Sequence, residues 1–229
     1  MVAPVKMRLL TYNVLKGGQG REAEIVEVIR TVVPDVVVVQ EVLEVNRFRR
    51  IATALEMSPY LAEGRGRVPL RVGLLSRLPV LDFRTLDLWP LWPSCLQATV
   101  RLANGSYLTV FGLHLLAGDF NTIAPGDRAS LAQAPLWVKA QTWFQAGYIT
   151  RWSLRALLDE GYVDCFRKMH PKKDGFTLPS PHPQVRLDYI FATPLLAEAL
   201  RECRVITPPG KVASASDHLP VLAEFVWEA

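Results

Sequence analysis

Cysteine is scarce in this chain and poorly placed for pairing. Only Cys95, Cys165 and Cys203 occur, an odd number with no C-x-x-C spacing. That pattern argues against a disulfide framework, a thiolate zinc site or a redox dithiol, and reduced thiols in a cytosolic compartment are the expectation. Long apolar runs are missing too, since no stretch approaches the roughly 20 uninterrupted residues of a membrane-spanning helix. The opening M-V-A-P-V-K-M-R-L-L-T-Y-N carries no apolar secretion core ahead of its strand-like segment. A strong charge bias is absent as well: 26 Lys and Arg against 22 Asp and Glu leave a net charge of +4, which permits an anionic partner without requiring one. No repeat, low-complexity tract or linker divides the chain. Residues 1–229 therefore read as one domain, expected to be cytoplasmic and monomeric and to have no transmembrane segment.

What is present is enough apolar material for a real core. Half the residues are hydrophobic and 21% are charged, a globular composition and not a disordered one. Residues 7–13 read as a strand. Ile25, Val28, Ile29 and Val32 recur at helical spacing until Pro34. Val36–Val39 is a run of four β-branched residues, the mark of a strand covered on both faces. Phe48, Ile51 and Leu55 mark a helix at about 47–57, and 72–75 and 80–83 read as short strands. Residues 95–102 alternate cleanly and lead through Asn104-Gly105 into a second strand at 107–115, a hairpin pattern. A short helix is expected over 153–160, a helix capped by Thr193-Pro194 through about 202, and a closing strand at 221–227. Strands joined by both hairpins and helices predict packed sheets with helices outside.

The polar residues fit for chemistry lie at strand ends. Asn13 closes M-R-L-L-T-Y-N and Glu41 closes D-V-V-V-V-Q-E. Asp119 and Asn121 end an apolar run in G-D-F-N, Asp188 lies within R-L-D-Y-I-F, and Asp217-His218 opens S-D-H-L-P. Such positions can converge on one concave site, as metal-assisted hydrolysis requires. A carboxylate leaving a buried run is costly unless compensated. An all-oxygen donor set favours Mg²⁺, or Mn²⁺ in its place, over zinc. Asp119 and Asn121, two apart, share a face if extended and could hold and deprotonate a water. Asp188 could fix the tautomer of His218 and hold it charged. Taken singly, each has an ordinary structural reading: a solvated glutamate, an Asx-turn, a satisfied histidine.

Together they form an ordered set: T-Y-N at 11–13, Q-E at 40–41, G-L-L-S-R at 73–77, H-L at 114–115, G-D-F-N at 118–121, L-D-Y-I-F at 187–191 and S-D-H-L-P at 216–220. This order resembles the endonuclease/exonuclease/phosphatase superfamily over nearly the whole chain. The resemblance implies a four-layer α/β/β/α sandwich of two packed mixed sheets and Mg²⁺-dependent hydrolysis of phosphate esters. It implies Asn13, Glu41 and Asp217 as the metal environment and Asp119 with Asn121 as the pair positioning the attacking water. It further implies that His218, supported by Asp188, faces the scissile phosphate and that His114 is a second phosphate-side histidine.

The chain departs from the family pattern between His114 and Asp119, only five residues apart in H-L-L-A-G-D. Extended, they would be roughly 16 Å apart on opposite faces, and neighbouring parallel strands need a crossover of about a dozen residues. Either two strands are fused by a deletion or their connection is missing. With no turn residue at 114–117, the second reading is preferred, with Leu115 and Leu116 on two neighbouring strands. The expected function is phosphodiester hydrolysis, nuclease-like, with nucleic acid among the candidate substrates. A phosphomonoesterase, a phospholipid-head-group hydrolase and a non-catalytic binding protein on the same fold stay open as alternatives. Arg47, Arg49 and Arg50, then Arg65, Arg67 and Arg71, then Arg167, Lys168, Lys172 and Lys173 form loose basic clusters, read as solvated surface ahead of phosphate contacts. L-W-P-L-W-P at 88–93 reads as cover for a sheet edge ahead of an aromatic lip.

Overall fold

The computed structural model describes residues 4–64, 70–86, 95–114, 118–120, 122–127, 151–180, 182–208 and 214–227, with the backbone alone for 113–114, 118–119 and 151–153. The first sheet has six strands: β1 (Val5–Asn13), β2 (Val36–Val42), β3 (Ser58–Leu61), β4 (Arg71–Ser76), β12 (Leu200–Val205) and β13 (Val221–Trp227), in the order β12-β13-β1-β2-β4-β3. The second has five: β5 (Val80–Leu86), β6 (Cys95–Arg101), β7 (Tyr107–His114), β8 (Gly118–Asp119) and β10 (Asp188–Tyr189), in the order β10-β8-β7-β6-β5. A third, two-stranded piece pairs β9 (Val163–Asp164) with β11 (Phe191–Ala192). Each large sheet holds one parallel pair, β1 with β2 and β7 with β8, among antiparallel neighbours.

The valine run of β2 shows why the sheets stack. Val37 and Val39 join the core under α1 (Glu22–Val32) and α2 (Val45–Leu55), while Val36 and Val38 join Leu96, Ala98, Val100 and Val110 of the other sheet. A strand apolar on both faces must be covered on both, and burial of each such side chain contributes about 1.5–3 kcal/mol. Gly112 lets the sheets close up, because a Cβ there would sit 2.8 Å from Val38 Cγ1. The α/β/β order follows. Gly105 alone supplies the left-handed residue of the β6–β7 hairpin, at φ 82, while Asn104 Oδ1 accepts from the Ser106 N–H at 3.1 Å.

One expectation needs correction, and one strand was not expected. The helix capped by Thr193 covers only Pro194–Glu198, and Leu200 begins a strand instead of continuing to 202. Leu200 and Cys203 are buried in pairing with β13, and ladder hydrogen bonds plus burial outweigh the helix propensity of A-L-R-E. Pro59 marks an unforeseen edge strand, β3, the place in a sheet where proline is tolerated. A second expectation concerns the short link. Residues 107–114 and 118–119 are separate, neighbouring, parallel strands with His114 the register partner of Asp119. One long strand is thereby excluded, and the two residues sit on strands about 4.8 Å apart instead of roughly 16 Å along one. Leu115 and Leu116 lie outside the described residues. Among the described residues no helix is long and apolar enough to cross a membrane.

Candidate active site

The strand ends of the first sheet build one corner. Asn13, 1% exposed at the end of β1, donates its amide to Glu41 Oε1 at 3.1 Å and accepts the Leu15 N–H on Oδ1 at 2.9 Å. Glu41 Oε2 accepts the Lys16 N–H at 2.7 Å. The backbone bends sharply to achieve this. Glu41 sits at φ 62 where the β2–β4 register slips between Val39 and Val42, and Leu15 and Lys16 sit at φ 46 and 50. A left-handed conformation costs a non-glycine residue roughly 1–2 kcal/mol, and a bulge re-aims the side chain it carries. Such strain collects at functional sites.

Ser216 ties this corner to the segment before β13. Its hydroxyl donates to the Asn13 carbonyl at 2.7 Å, accepts the His218 N–H at 3.2 Å and lies 3.4 Å from Asp217 Oδ1. Asp217 is half-buried. Burial pushes the Tyr12 phenol up; Arg21 opposes the shift and the Asp217 carboxylate adds to it. Arg21 fastens the same corner, donating to the carbonyls of Leu15 and Ala215 at 2.6 and 2.5 Å. Next along, His218 Nδ1 lies 2.8 Å from Asp188 Oδ2, with the two residues 6% and 1% exposed. A carboxylate only accepts, so Nδ1 carries the hydrogen of this contact. Thr177 Oγ1 accepts the Leu187 and Asp188 N–H groups at 3.1 and 3.3 Å, which sets the height of Asp188.

The second sheet completes the line. Asp188 is the register partner of Asp119, and Asp119 that of His114. The backbone leaving Asp119 is pinned to β10: Phe120 N–H donates to Leu187 O at 2.8 Å, and the Tyr189 hydroxyl accepts the Ala124 N–H at 2.9 Å while lying 3.0 Å from Thr122 O. Below Tyr189 lies a buried ion network. Arg186 donates to Asp127 Oδ2 at 2.7 Å and to both oxygens of Asp164 at 2.9 and 2.5 Å, with its guanidinium 4.3 Å over the Tyr189 ring. Burial opposes that charge, but the two carboxylates more than offset it and raise the Arg186 pKa. Arg167 closes the network on Asp127 Oδ1 at 2.5 Å.

Of the residues expected from sequence, Asn13, Glu41, Asp217, His218 and Asp188 therefore form one hydrogen-bonded run, and Asp119 and His114 adjoin it through backbone pairing. Asn121 lies outside the described residues. Sequence reading missed Ser216, Thr177, Arg186, Asp127 and Asp164. Ser216 and Arg186 stand inside or next to the quoted motifs, whereas Asp127 and Asp164 are isolated carboxylates with no local signal. The basic clusters are largely used internally. Arg47 pairs with Glu22 and Glu44, Arg50 with Glu22, Arg71 with the Leu43 carbonyl, and Lys168 with the Ala197 carbonyl. Arg65, Arg67 and the tryptophans of 88–93 lie outside the described residues.

The donor chemistry at Asn13, Glu41 and Asp217 is oxygen only. Among the described residues no group of three or more His, Cys, Asp and Glu side chains is placed to hold a metal unaided. Two carboxylates and an amide suit Mg²⁺, which keeps much of its water and takes one or two carboxylates from a protein. They do not suit zinc, which asks for a nitrogen- and sulfur-rich tetrahedral set.

A model of the endonuclease/exonuclease/phosphatase family matches residues 10–218. No curated protein sequence matches this chain. Among solved structures, an AP endonuclease from Archaeoglobus fulgidus superposes with a TM-score of 0.73 at 19% identity, covering 96% of this chain and 99% of that one. An AP endonuclease from Leishmania major gives 0.71 at 16% identity over 98% and 89%. A Neisseria 3' phosphatase bound to a product DNA hairpin gives 0.66 at 20% identity over 96% and 100%. At these identities the likeness establishes the fold.

Proposed function

This chain belongs to the endonuclease/exonuclease/phosphatase family, whose members are hydrolytic nucleases and phosphatases, and from that premise we propose that it is a divalent-metal-dependent hydrolase of phosphodiesters. The observation that carries the proposal is the continuous run Glu41–Asn13–Ser216–His218–Asp188, linked by hydrogen bonds of 3.1, 2.7, 3.2 and 2.8 Å and adjoining Asp119. It gathers an oxygen-only cation corner, a carboxylate-held imidazole and the strand carrying Asp119 into one site, which a binding protein on the same fold does not need. Nucleic acid is the favoured substrate class because the superposed structures are named for DNA chemistry.

Glu41, Asn13 and Asp217 would hold Mg²⁺ or Mn²⁺. The cation, when bound, supplies neutralisation of phosphoryl charge and stabilisation of the leaving oxygen. Asp119 takes a proton from the water whose oxygen attacks phosphorus, and Asn121 joins it in positioning that water. The bond from phosphorus to the leaving oxygen breaks in line, and that oxygen takes its proton from solvent. Nε2 of His218 donates to a phosphoryl oxygen as charge builds there. Asp188 keeps the Nδ1 hydrogen in place and compensates the imidazolium. His114 contributes a second donor from the strand beside Asp119.

A panel of single-stranded and duplex oligonucleotides, bis(p-nitrophenyl) phosphate, p-nitrophenyl phosphate and sphingomyelin, each assayed with Mg²⁺ and with EDTA, tests the proposal. Mg²⁺-dependent, EDTA-abolished cleavage of the diesters is the expected result. Turnover of p-nitrophenyl phosphate alone replaces the diester reading, turnover of sphingomyelin without the oligonucleotides keeps the diester chemistry but replaces nucleic acid as the substrate, and no turnover of any ester overturns the enzyme reading.

A further inference from the structure

We infer that Lys16 is a substrate-binding residue, a cation held at the rim of the site to contact a non-bridging oxygen of the phosphate beside Glu41. The inference rests on the phosphoesterase reading and names a residue that none of the motifs includes. Three observations carry it. First, Lys16 N–H lies 2.7 Å from Glu41 Oε2, so its Cα is fixed next to the carboxylate of the cation corner. Second, its side chain is exposed, and its ammonium makes no ion pair or hydrogen bond among the described residues. The neighbouring cations differ in this respect: Arg21 is spent on backbone carbonyls, Arg47 and Arg50 on Glu22. Third, Lys16 holds a left-handed backbone at φ 50, directly before Gly17 and Gly18 at φ 68 and 67. Glycine would adopt that conformation without strain and would keep the N–H bond to Glu41. The lysine side chain therefore brings a strain that the backbone contact does not need, and strain retained at a site points to a role for what carries it.

A flexible four-carbon stem with a compact ammonium suits a phosphoryl oxygen whose exact position varies between esters. Because the ammonium would meet substrate and transition state alike, its loss should appear in KM and not in kcat.

The test compares wild-type protein with Lys16→Gly and Lys16→Met. Both variants keep the backbone donor to Glu41, and only the glycine relieves the strained φ. The expected result is a KM raised about tenfold or more in both for the best diester of the panel, with kcat within about twofold. Lys16→Gly should melt no lower than Lys16→Met, since removing left-handed strain offsets its added freedom in the unfolded chain. For a single-stranded oligonucleotide followed by anisotropy in Ca²⁺, both variants should bind more weakly, with a salt slope shallower by about one. Equal KM and equal oligonucleotide affinity across the three proteins overturn the assignment. A wild-type protein that cleaves no ester overturns the phosphoesterase reading alone. Anisotropy still reads Lys16 in that case, weaker binding by both variants supporting its role and equal binding ending it.

Discussion

Replacing Arg186 by methionine keeps the side chain's bulk and removes its charge from the middle of the fold. The guanidinium is 2% exposed, and its partners Asp127 and Asp164 are 3% and 8% exposed. Removing one partner of a buried pair costs about 3–5 kcal/mol, chiefly because the opposite charge is left without compensation. Losing the cation 4.3 Å over Tyr189 adds about 1 kcal/mol. Two contacts offset part of this. Asp127 keeps Arg167 at 2.5 Å, and Asp164 keeps the Arg167 N–H at 3.0 Å as the cap of the helix Cys165–Met169. The lower end of the range, about 3 kcal/mol, is expected. At about 2–4 °C per kcal/mol for a chain of this size, Tm should fall by about 6–12 °C in a melt followed by circular dichroism. The exposed pair Asp82–Arg84, at 2.8 Å but 41% and 66% exposed, sets the contrast: Asp82→Asn should change stability by no more than about 0.5 kcal/mol. The network also anchors the backbone that leaves Asp119, so turnover measured well below the new Tm should fall as well. A melt within about 2 °C of wild type would refute the reasoning, because it would mean that the cost of burying the Arg186 charge cancels what its pairing contributes.

Glu41→Gln should weaken Mg²⁺ binding at least about tenfold by titration calorimetry with the fold intact, since a neutral amide is a poorer ligand for a hard cation; an unchanged affinity removes Glu41 from the cation corner. Asp188→Asn should lower kcat about 100-fold and move the limb of the pH–rate profile that needs the imidazolium to lower pH, because the charge that stabilises it is gone; an unmoved profile separates Asp188 from His218. Burial pushes the thiols of Cys95 and Cys165 up to about 12 and that of Cys203 well above its ordinary value. A folded pKa raised above the unfolded value of about 8.5 contributes stability below that value and loses it as pH rises. Tm should therefore decline from about pH 8.5 upward, and a thiol reagent at pH 8 should reach the three cysteines only on unfolding; fast labelling of the native protein would contradict their burial.

Local sequence suffices for the covered strand β2, the helix that follows β1, the β6–β7 hairpin and the terminal strand Val221–Trp227. In each, the period of apolar residues and the turn residues beside it act over a few neighbours and need no distant partner. The motifs also named Asn13, Glu41, Asp188, Asp217 and His218, because strand-end polar residues stand out against apolar runs. Tertiary structure alone decided what lies between them. Nothing local shows that Ser216 would join Asn13 to His218, or that Asp127 and Asp164 would close on Arg186 from positions 59 and 22 residues away. Those contacts exist only once the two sheets have stacked and strands remote in sequence have become neighbours. The same is true of Leu200–Val205, where pairing with β13 displaced the helix that its residues prefer, and of His114 and Asp119, whose placement on adjacent strands is a property of the sheet. Periodicity encodes which face of an element is buried; the partner that buries it is set by the energy of the assembled core.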